Sequence, residues 1–169
     1  GRIDPDQLDF AREAFAASPP GDVRVVVAHH HLAPAPDYEK DTPLPGAPGI
    51  LDALAAMDVE LVLGGHLHRA YIGNSLDVHP GADPRRGVVI VQSGTTTSGR
   101  GRARERLKNS FNVVRVRDGV LDVTHHMYHE DEGAFGPLSR HLFPRHPRVT
   151  LPAQATARLW PGSDDILSG

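Results

Sequence analysis

Two apolar stretches that each run into histidines decide the fold. The first is VVVAHHH at residues 25–31, and the second is LVLGGHLH at residues 61–68. Uninterrupted valine and leucine runs of this kind are typical of strands that are buried on both faces of a parallel sheet. Between them, the apolar residues from 50 to 57 are spaced as on a short helix. We therefore predict a right-handed βαβ unit, which brings both histidine groups to the edge of the sheet where its parallel strands end.

The segments before and within this unit are predicted from local patterns. DPDQ at residues 4–7 is typical of a helix start, and the apolar spacing after it predicts an amphipathic helix that ends near residues 18–21. Five prolines lie between residues 32 and 48. They exclude a helix or a central strand there, so we expect a long functional loop.

Beyond His68 the pattern changes to shorter strands. Antiparallel strands are predicted at residues 70–73, 87–93, 110–117 and 120–128, the last two joined by a hairpin at Asp118-Gly119. The fold class is therefore α/β with a mixed sheet, in a domain that covers residues 1–128. Residues 129–169 show little periodicity, and we predict a proline-rich, loosely packed tail there with Trp160 as its anchor.

Composition limits the chemistry that the chain can perform. Its 169 residues suffice for one domain with a core, and 18 basic against 21 acidic residues give a net charge of −3. No basic field suggests a nucleic-acid partner, and no apolar run is long enough for a membrane span. We expect a cytoplasmic protein, with any signal peptide lying ahead of Gly1. Because the chain has no cysteine, its eleven histidines and its carboxylates are the strong metal ligands.

The spacing of His66 and His68 suits a metal site. At the end of a strand, residues i and i+2 point to one side and lie roughly 6–7 Å apart at the backbone. Such a pair can serve two metal ions that lie about 3.5–4 Å apart, as in two-metal hydrolases. The glycines at 64 and 65 leave room for a ligand to approach. An ordinary turn with partly exposed rings is the alternative.

The three consecutive histidines are expected to divide between two sides. Alternation along an extended backbone sends His29 and His31 one way and His30 the other, so they do not all bind one ion. For His30 and His31, capping a buried carbonyl or facing solvent is the alternative to a direct role.

These histidine strands resemble those of the calcineurin-like metallophosphoesterases. The resemblance rests on the apolar strand that ends in His29 and on the G-H-x-H motif at residues 65–68. Residues 92–100 and 109–116 are also similar to the region that follows this motif in bacterial members. The resemblance covers residues 4–128. It implies a four-layer α/β/β/α fold, with two divalent metal ions (Mn, Fe or Zn) in the intact site that activate water against a phosphate ester.

The resemblance also assigns metal ligands. His29 and His66 would serve one ion and His68 the other, with His30 as the alternative to His29. The family's D-x-H, G-D and G-N-H-D or G-N-H-E motifs are absent from sensible places, so the chain resembles the C-terminal half of the fold. Asp77-Val78-His79 is formally D-x-H, but it follows the G-H-x-H motif in a segment that we interpret as a turn.

Two functional hypotheses follow. Three neutral imidazoles without a bridging carboxylate do not hold two divalent ions, so we expect the chain alone to be inactive. No catalytic residue can be assigned from its sequence. In the first hypothesis, a missing N-terminal half or a second chain completes a site that hydrolyses a phosphorylated small molecule, either a phosphomonoester or a phosphodiester. In the second, the chain is a non-catalytic fragment or interaction module that binds a single metal ion or a partner chain.

Two further features bear on partners. A half-sheet would expose the apolar region around Val25 and Leu61, and such an edge favours a partner or aggregation. The run of Arg100, Arg102, Arg104, Arg106 and Lys108, interrupted by Glu105, would suit a phosphoryl substrate, although a solvated mobile loop explains it equally.

Overall fold

The structure, a computed structural model, describes residues 1–34, 42–81, 83, 86–102, 105–117 and 119–145. Its elements, in chain order, are α1 (Pro5–Ala16), β1 (Val25–Val27), α2 (Ala47–Ala56), β2 (Leu61–Gly64), β3 (Tyr71–Asn74), a 3₁₀ turn (Ser75–Asp77), β4 (Val89–Gln92), β5 (Ser110–Arg117), β6 (Val120–His129) and β7 (Ala134–Pro144). In these ranges, neither helix is long and apolar enough to cross a bilayer.

The strands form two sheets. The first is mixed and has the order β1-β2-β4-β3, in which β1, β2 and β4 are parallel and β3 runs antiparallel to β4. The second sheet, β5-β6-β7, is antiparallel throughout. The predicted strand, helix and parallel strand are present as β1, α2 and β2, and the mixed sheet is confirmed.

Two apolar cores hold the helix and the two sheets together. One core joins α2 to the first sheet and includes Leu51, Leu54, Val62 and Ile90. The other lies between the two sheets, where alternate residues of β2 and β4 meet residues of β6; it consists of Leu61, Val89, Val91, Leu121 and Val123. The described residues therefore form an α/β/β arrangement, which is three of the four layers expected.

Part of the segment predicted to be a loose tail is a strand. β6 continues to His129, and β7 pairs with it from Ala134 opposite His129 to Pro144 opposite Val120. The alternation that would have revealed this strand in the sequence is broken by Pro137 and Pro144. It is also broken by a bulge, where the register with β6 shifts between His125 and His126. Prolines are tolerated there because β7 is an edge strand. Residues 146–169, including Trp160, lie outside the described residues.

Buried ion pairs fasten β7 at two places. The carboxylate of Asp122, which is 1% exposed, accepts hydrogen bonds from Nε and Nη2 of Arg140 at 2.8 and 2.6 Å. These bonds lower the pKa of Asp122. Beyond the end of β7, Arg145 donates to both oxygens of the buried Glu60, which lies immediately before β2. The second sheet is thus tied to the strand that carries the second histidine motif.

Candidate metal centre

The two histidine motifs leave adjacent strands at the same level. Val27 in β1 lies opposite Leu63 in β2, and the amide of Ala28 donates to the carbonyl of Leu63 at 2.9 Å. One step further, the amide of Gly65 donates to the carbonyl of His29 at 3.2 Å. The parallel register therefore sets the side chains that follow β1 directly beside those that follow β2.

His29, His30 and His66 come together at this edge, and we name them the histidine cluster. One ring nitrogen of each lies within 4.8 Å of the other two. Nδ1 of His66 is 3.1 Å from Nε2 of His29, and the ring centroids of His30 and His66 are 4.5 Å apart. His30 is partly buried and the other two are exposed. Within the described ranges, no carboxylate joins this group.

The donor set fits one metal ion. Zinc binds imidazole nitrogen at about 2.0–2.1 Å, so two nitrogens on one ion lie at most about 4.2 Å apart. The separation of His29 and His66 already meets this limit. A ring nitrogen of His30 lies within 4.8 Å of both. Three histidines leave one coordination position open, which is the pattern of a catalytic site more than of a closed structural one.

Their surroundings lower the pKa of His30 and of His66. The pKa of His30 is lowered by desolvation first, and then by the neighbouring imidazoles. The pKa of His66 is lowered by desolvation first and then by His29 and His31. Since metal binding requires the deprotonated ring, both shifts favour an ion at this site.

The structure corrects the predicted division of the three histidines. Alternation places His29 and His30 on opposite sides, but both rings contact His66, with the His29 and His66 centroids 5.0 Å apart. The physical reason is that β1 ends at Val27 and the chain bends at residues 29 and 30, so strand alternation no longer applies. His31 is buried, and its ring stacks on His66 at 6.2 Å.

His68 stands outside the histidine cluster. The prediction that His66 and His68 point to one side assumed an extended backbone, whereas β2 ends at Gly64. The backbone of both histidines is in the left-handed region, with φ of 71° at His66 and 55° at His68, and Leu67 between them is buried. This conformation costs an L residue about 1–2 kcal/mol, so surrounding contacts must maintain it. A role for His68 toward a second ion stays a prediction.

Glu105 is the residue that sequence reasoning missed. It interrupts the basic run, yet its side chain is buried and accepts hydrogen bonds from the amide of Ala70 and, at 2.6 Å, from Oγ of Ser110. Arg102, in the same loop, donates its amide to the carbonyl of His68 at 3.0 Å and is exposed. A single acidic residue within a basic run is the only signal in the sequence that could have drawn attention to it.

The formal D-x-H motif lies in a turn, as interpreted. Asp77 ends the 3₁₀ turn and accepts a hydrogen bond from the amide of Asn74 at 2.7 Å. His79 lies 3.2 Å from a carboxylate oxygen of Asp52 in α2. Neither Asp77 nor His79 belongs to the histidine cluster.

An apolar groove of about 620 Å³ runs between α1 and β1 and reaches the histidine cluster. Leu8, Phe10 and Val26 line it, together with His29 and His30. α1 contains no buried residue although its sequence is amphipathic, and Phe10 is 73% exposed. The first sheet is therefore incompletely covered on the side of β1.

Comparisons with known proteins give distant structural similarity. No family model matches the chain, and no curated protein matches it. Vps29 from Chaetomium thermophilum is similar at 14% identity and a TM-score of 0.45, over 76% of this chain and 59% of that one. Wild-type Vps29 from Entamoeba histolytica, complexed with Zn²⁺, is similar at 16% identity and a TM-score of 0.39, over 57% of this chain and 45% of that one. The chain thus spans less than two thirds of the length of either structure.

Proposed function

We propose that this chain carries the histidine ligands of a metal centre that hydrolyses a phosphate ester, and that the acidic ligands come from another segment or chain. The observation that carries the proposal is the convergence of His29, His30 and His66 where two neighbouring parallel strands end. The G-H-x-H motif at residues 65–68 agrees with the resemblance to calcineurin-like metallophosphoesterases.

The chemistry follows from the donor set. A divalent Mn, Fe or Zn ion supplies Lewis acidity toward a phosphoryl oxygen and lowers the pKa of water. His29 and His66 would hold that ion, with His30 as a third ligand, and His68 remains the candidate for a second ion in a completed site. Arg102 is the nearby cation suited to a phosphorylated small molecule, since its charge contributes to the lowered pKa of His66.

The open edge of the first sheet supports completion from outside. β1 is the outer strand, and the carbonyl of Arg24 and the amide of Ala28 bond toward the β2 side. Because peptide groups alternate along a parallel strand, those of Val25 and Val27 face away from β2. Val27 is also 78% exposed. A missing N-terminal half, or a second chain, that pairs here would place its own residues next to His29.

A second candidate function is a non-catalytic module that binds a single ion or a partner chain. The observation that favours it is the histidine-only donor set within the described residues. Three neutral imidazoles do not offset the charge of two divalent ions, so one ion is the most that this set holds.

The experiment that separates the two candidates joins the chain to the polypeptide encoded directly upstream of Gly1. Hydrolysis of bis(p-nitrophenyl) phosphate with Mn²⁺ is measured for the joined protein and for its His66→Ala and His79→Ala variants. The phosphoesterase proposal expects hydrolysis that is lost in His66→Ala and kept in His79→Ala, since His79 lies outside the histidine cluster. A folded, metal-loaded protein without hydrolysis contradicts it and supports the second candidate.

A further inference from the structure

We infer that Glu105 is the positioning residue of the histidine cluster: its buried carboxylate fixes the loop of residues 65–70, which carries His66 and which we name the histidine loop. The position of Glu105 is argued from hydrogen bonds within the chain. Its effect on metal affinity rests on the proposed metal site.

The carboxylate of Glu105 joins two other segments to its own. One oxygen accepts from the amide of Ala70 in the histidine loop, and the other accepts from Oγ of Ser110 at the start of β5. The backbone of Glu105 adds to this, because its amide donates to the carbonyl of Arg102 and its carbonyl accepts from the amide of Lys108, each at 3.0 Å. Glu105 itself is only 5% exposed.

A second contact reaches the same loop from the same segment. The amide of Arg102 donates to the carbonyl of His68 at 3.0 Å. The histidine loop is therefore held at two backbone positions, His68 and Ala70, by a segment that Glu105 organises. One bond is made by His68 itself and the other lies two residues further on, so both support the left-handed backbone at His66 and His68.

Two glycines lie close against Glu105. A Cβ atom at Gly101 would overlap the backbone carbonyl of Glu105, and one at Gly94 would overlap its carboxylate. The backbone at Gly94 therefore packs closely against the carboxylate, and Gly101 packs against the backbone of the same residue. Together with the bonds to Ala70 and Ser110, these contacts hold Glu105 in place beside the chain that follows His66.

The chemical consequence concerns metal affinity. Groups that orient a ligand without touching the ion typically change affinity by about 10- to 100-fold when they are altered. Glu105 acts on His66 through the backbone of the histidine loop. Shortening its side chain should therefore weaken metal binding while leaving the ligand set intact.

The test uses matched substitutions of two buried glutamates. Glu105→Asp keeps the charge but is one methylene too short to span Ala70 and Ser110, whereas Glu105→Gln keeps the reach and an acceptor for Ala70. Glu60→Asp is the control, because Glu60 is equally buried but pairs with Arg145. Two quantities are measured: hydrogen exchange of the amides of residues 65–70 in the metal-free protein, and Zn²⁺ affinity by competition with a chelating indicator.

We expect Glu105→Asp to speed exchange of the Ala70 amide at least about tenfold and to weaken Zn²⁺ binding about 10- to 100-fold, with Glu105→Gln and Glu60→Asp near the parent in both. Exchange and affinity in Glu105→Asp that match those of Glu60→Asp would overturn the inference. If the parent binds no Zn²⁺, the proposed metal site fails, and the exchange of Ala70 still decides the role of Glu105.

Discussion

Nδ1 of His66 lies 3.1 Å from Nε2 of His29, although 37 residues separate them in the chain. The contact exists because β1 and β2 are parallel neighbours whose ends coincide, at Val27 opposite Leu63. Two ring nitrogens at this distance either share a proton or bind one ion together. The predictions below follow from this contact and from the buried groups that support the fold.

His30 should contribute more to a first metal ion than His68 does. His30 lies in the histidine cluster and His68 does not. We expect His30→Ala to weaken Zn²⁺ binding at least about tenfold and His68→Ala to change it less than about threefold, because loss of a ligand costs at least as much as loss of an orienting group. Competition titration with a chelating indicator measures both, with His79→Ala as the control. A larger effect of His68→Ala would mean that the histidine loop rearranges on binding metal.

Arg140→Ala should destabilise the fold by about 2–3 kcal/mol, since it removes two charge-assisted hydrogen bonds from a buried carboxylate. The pH dependence has a definite sign. Arg140 lowers the pKa of Asp122 in the folded state, so the pair stabilises fully above the unfolded pKa of about 3.9 and less as pH falls below it. Urea unfolding at pH 7 and pH 3 measures both effects.

The control for that pair is Arg86→Ala. Arg86 pairs with Asp58 at the surface, where both side chains are more than half exposed. Its removal should cost less than about 1 kcal/mol. Equal losses for Arg86→Ala and Arg140→Ala would contradict a special role for the Asp122 pair.

Mild acid should destabilise the protein through His125. Burial lowers the pKa of this imidazole, which lies 2.8 Å from Oδ1 of Asn112 between the sheets. A base with a depressed folded pKa stabilises the fold above its unfolded pKa, near 6.5, and that contribution is lost as pH falls through its folded pKa. His125→Gln should flatten the dependence of unfolding free energy on pH between 7 and 5 by up to about 1.4 kcal/mol per pH unit. Superimposable pH profiles would exclude this role.

Val27→Lys should block completion of the first sheet without unfolding the chain. Val27 is 78% exposed on the outer strand, so lysine costs little in the isolated chain. It places a charge where a partner strand would pack, which opposes strand addition. Binding to the upstream polypeptide, measured by light scattering after chromatography, should be lost. Val116→Lys, at another exposed valine, is the control and should bind normally.

The sequence predicted β1, α2 and β2 because their signal is local, but it predicted β1 to be buried on both faces, whereas Val27 is 78% exposed on the outer strand. Uninterrupted apolar runs at β1 and β2, with helical spacing between them, are specific enough to indicate a βαβ unit and to place two histidine motifs at one edge. The sequence did not predict β7, because Pro137 and Pro144 interrupt the alternating pattern of this edge strand. A bulge in β7 also shifts the register, because the consecutive residues His125 and His126 of β6 lie opposite Ser139 and Pro137, which leaves Leu138 as the extra residue.

The sequence predicted the location of the candidate metal site better than it predicted which residues form it. The sequence predicts His29, His66 and His68 as ligands, whereas the structure brings His29 and His66 together with His30 and leaves His68 outside the histidine cluster. Periodicity does not show that the strands end before the histidines begin. Glu105 was missed because its contact with Ala70 spans 35 residues. Only a tertiary structure brings such groups together.

The most direct test of the central claim is a Zn²⁺ titration of the parent chain and of the His29→Ala/His66→Ala double variant by isothermal titration calorimetry. The account predicts one bound ion per parent chain and its loss in the double variant, with both proteins equally folded by circular dichroism. An unchanged ion in the double variant, or no binding by the parent, would contradict the claim that these histidines form a metal centre.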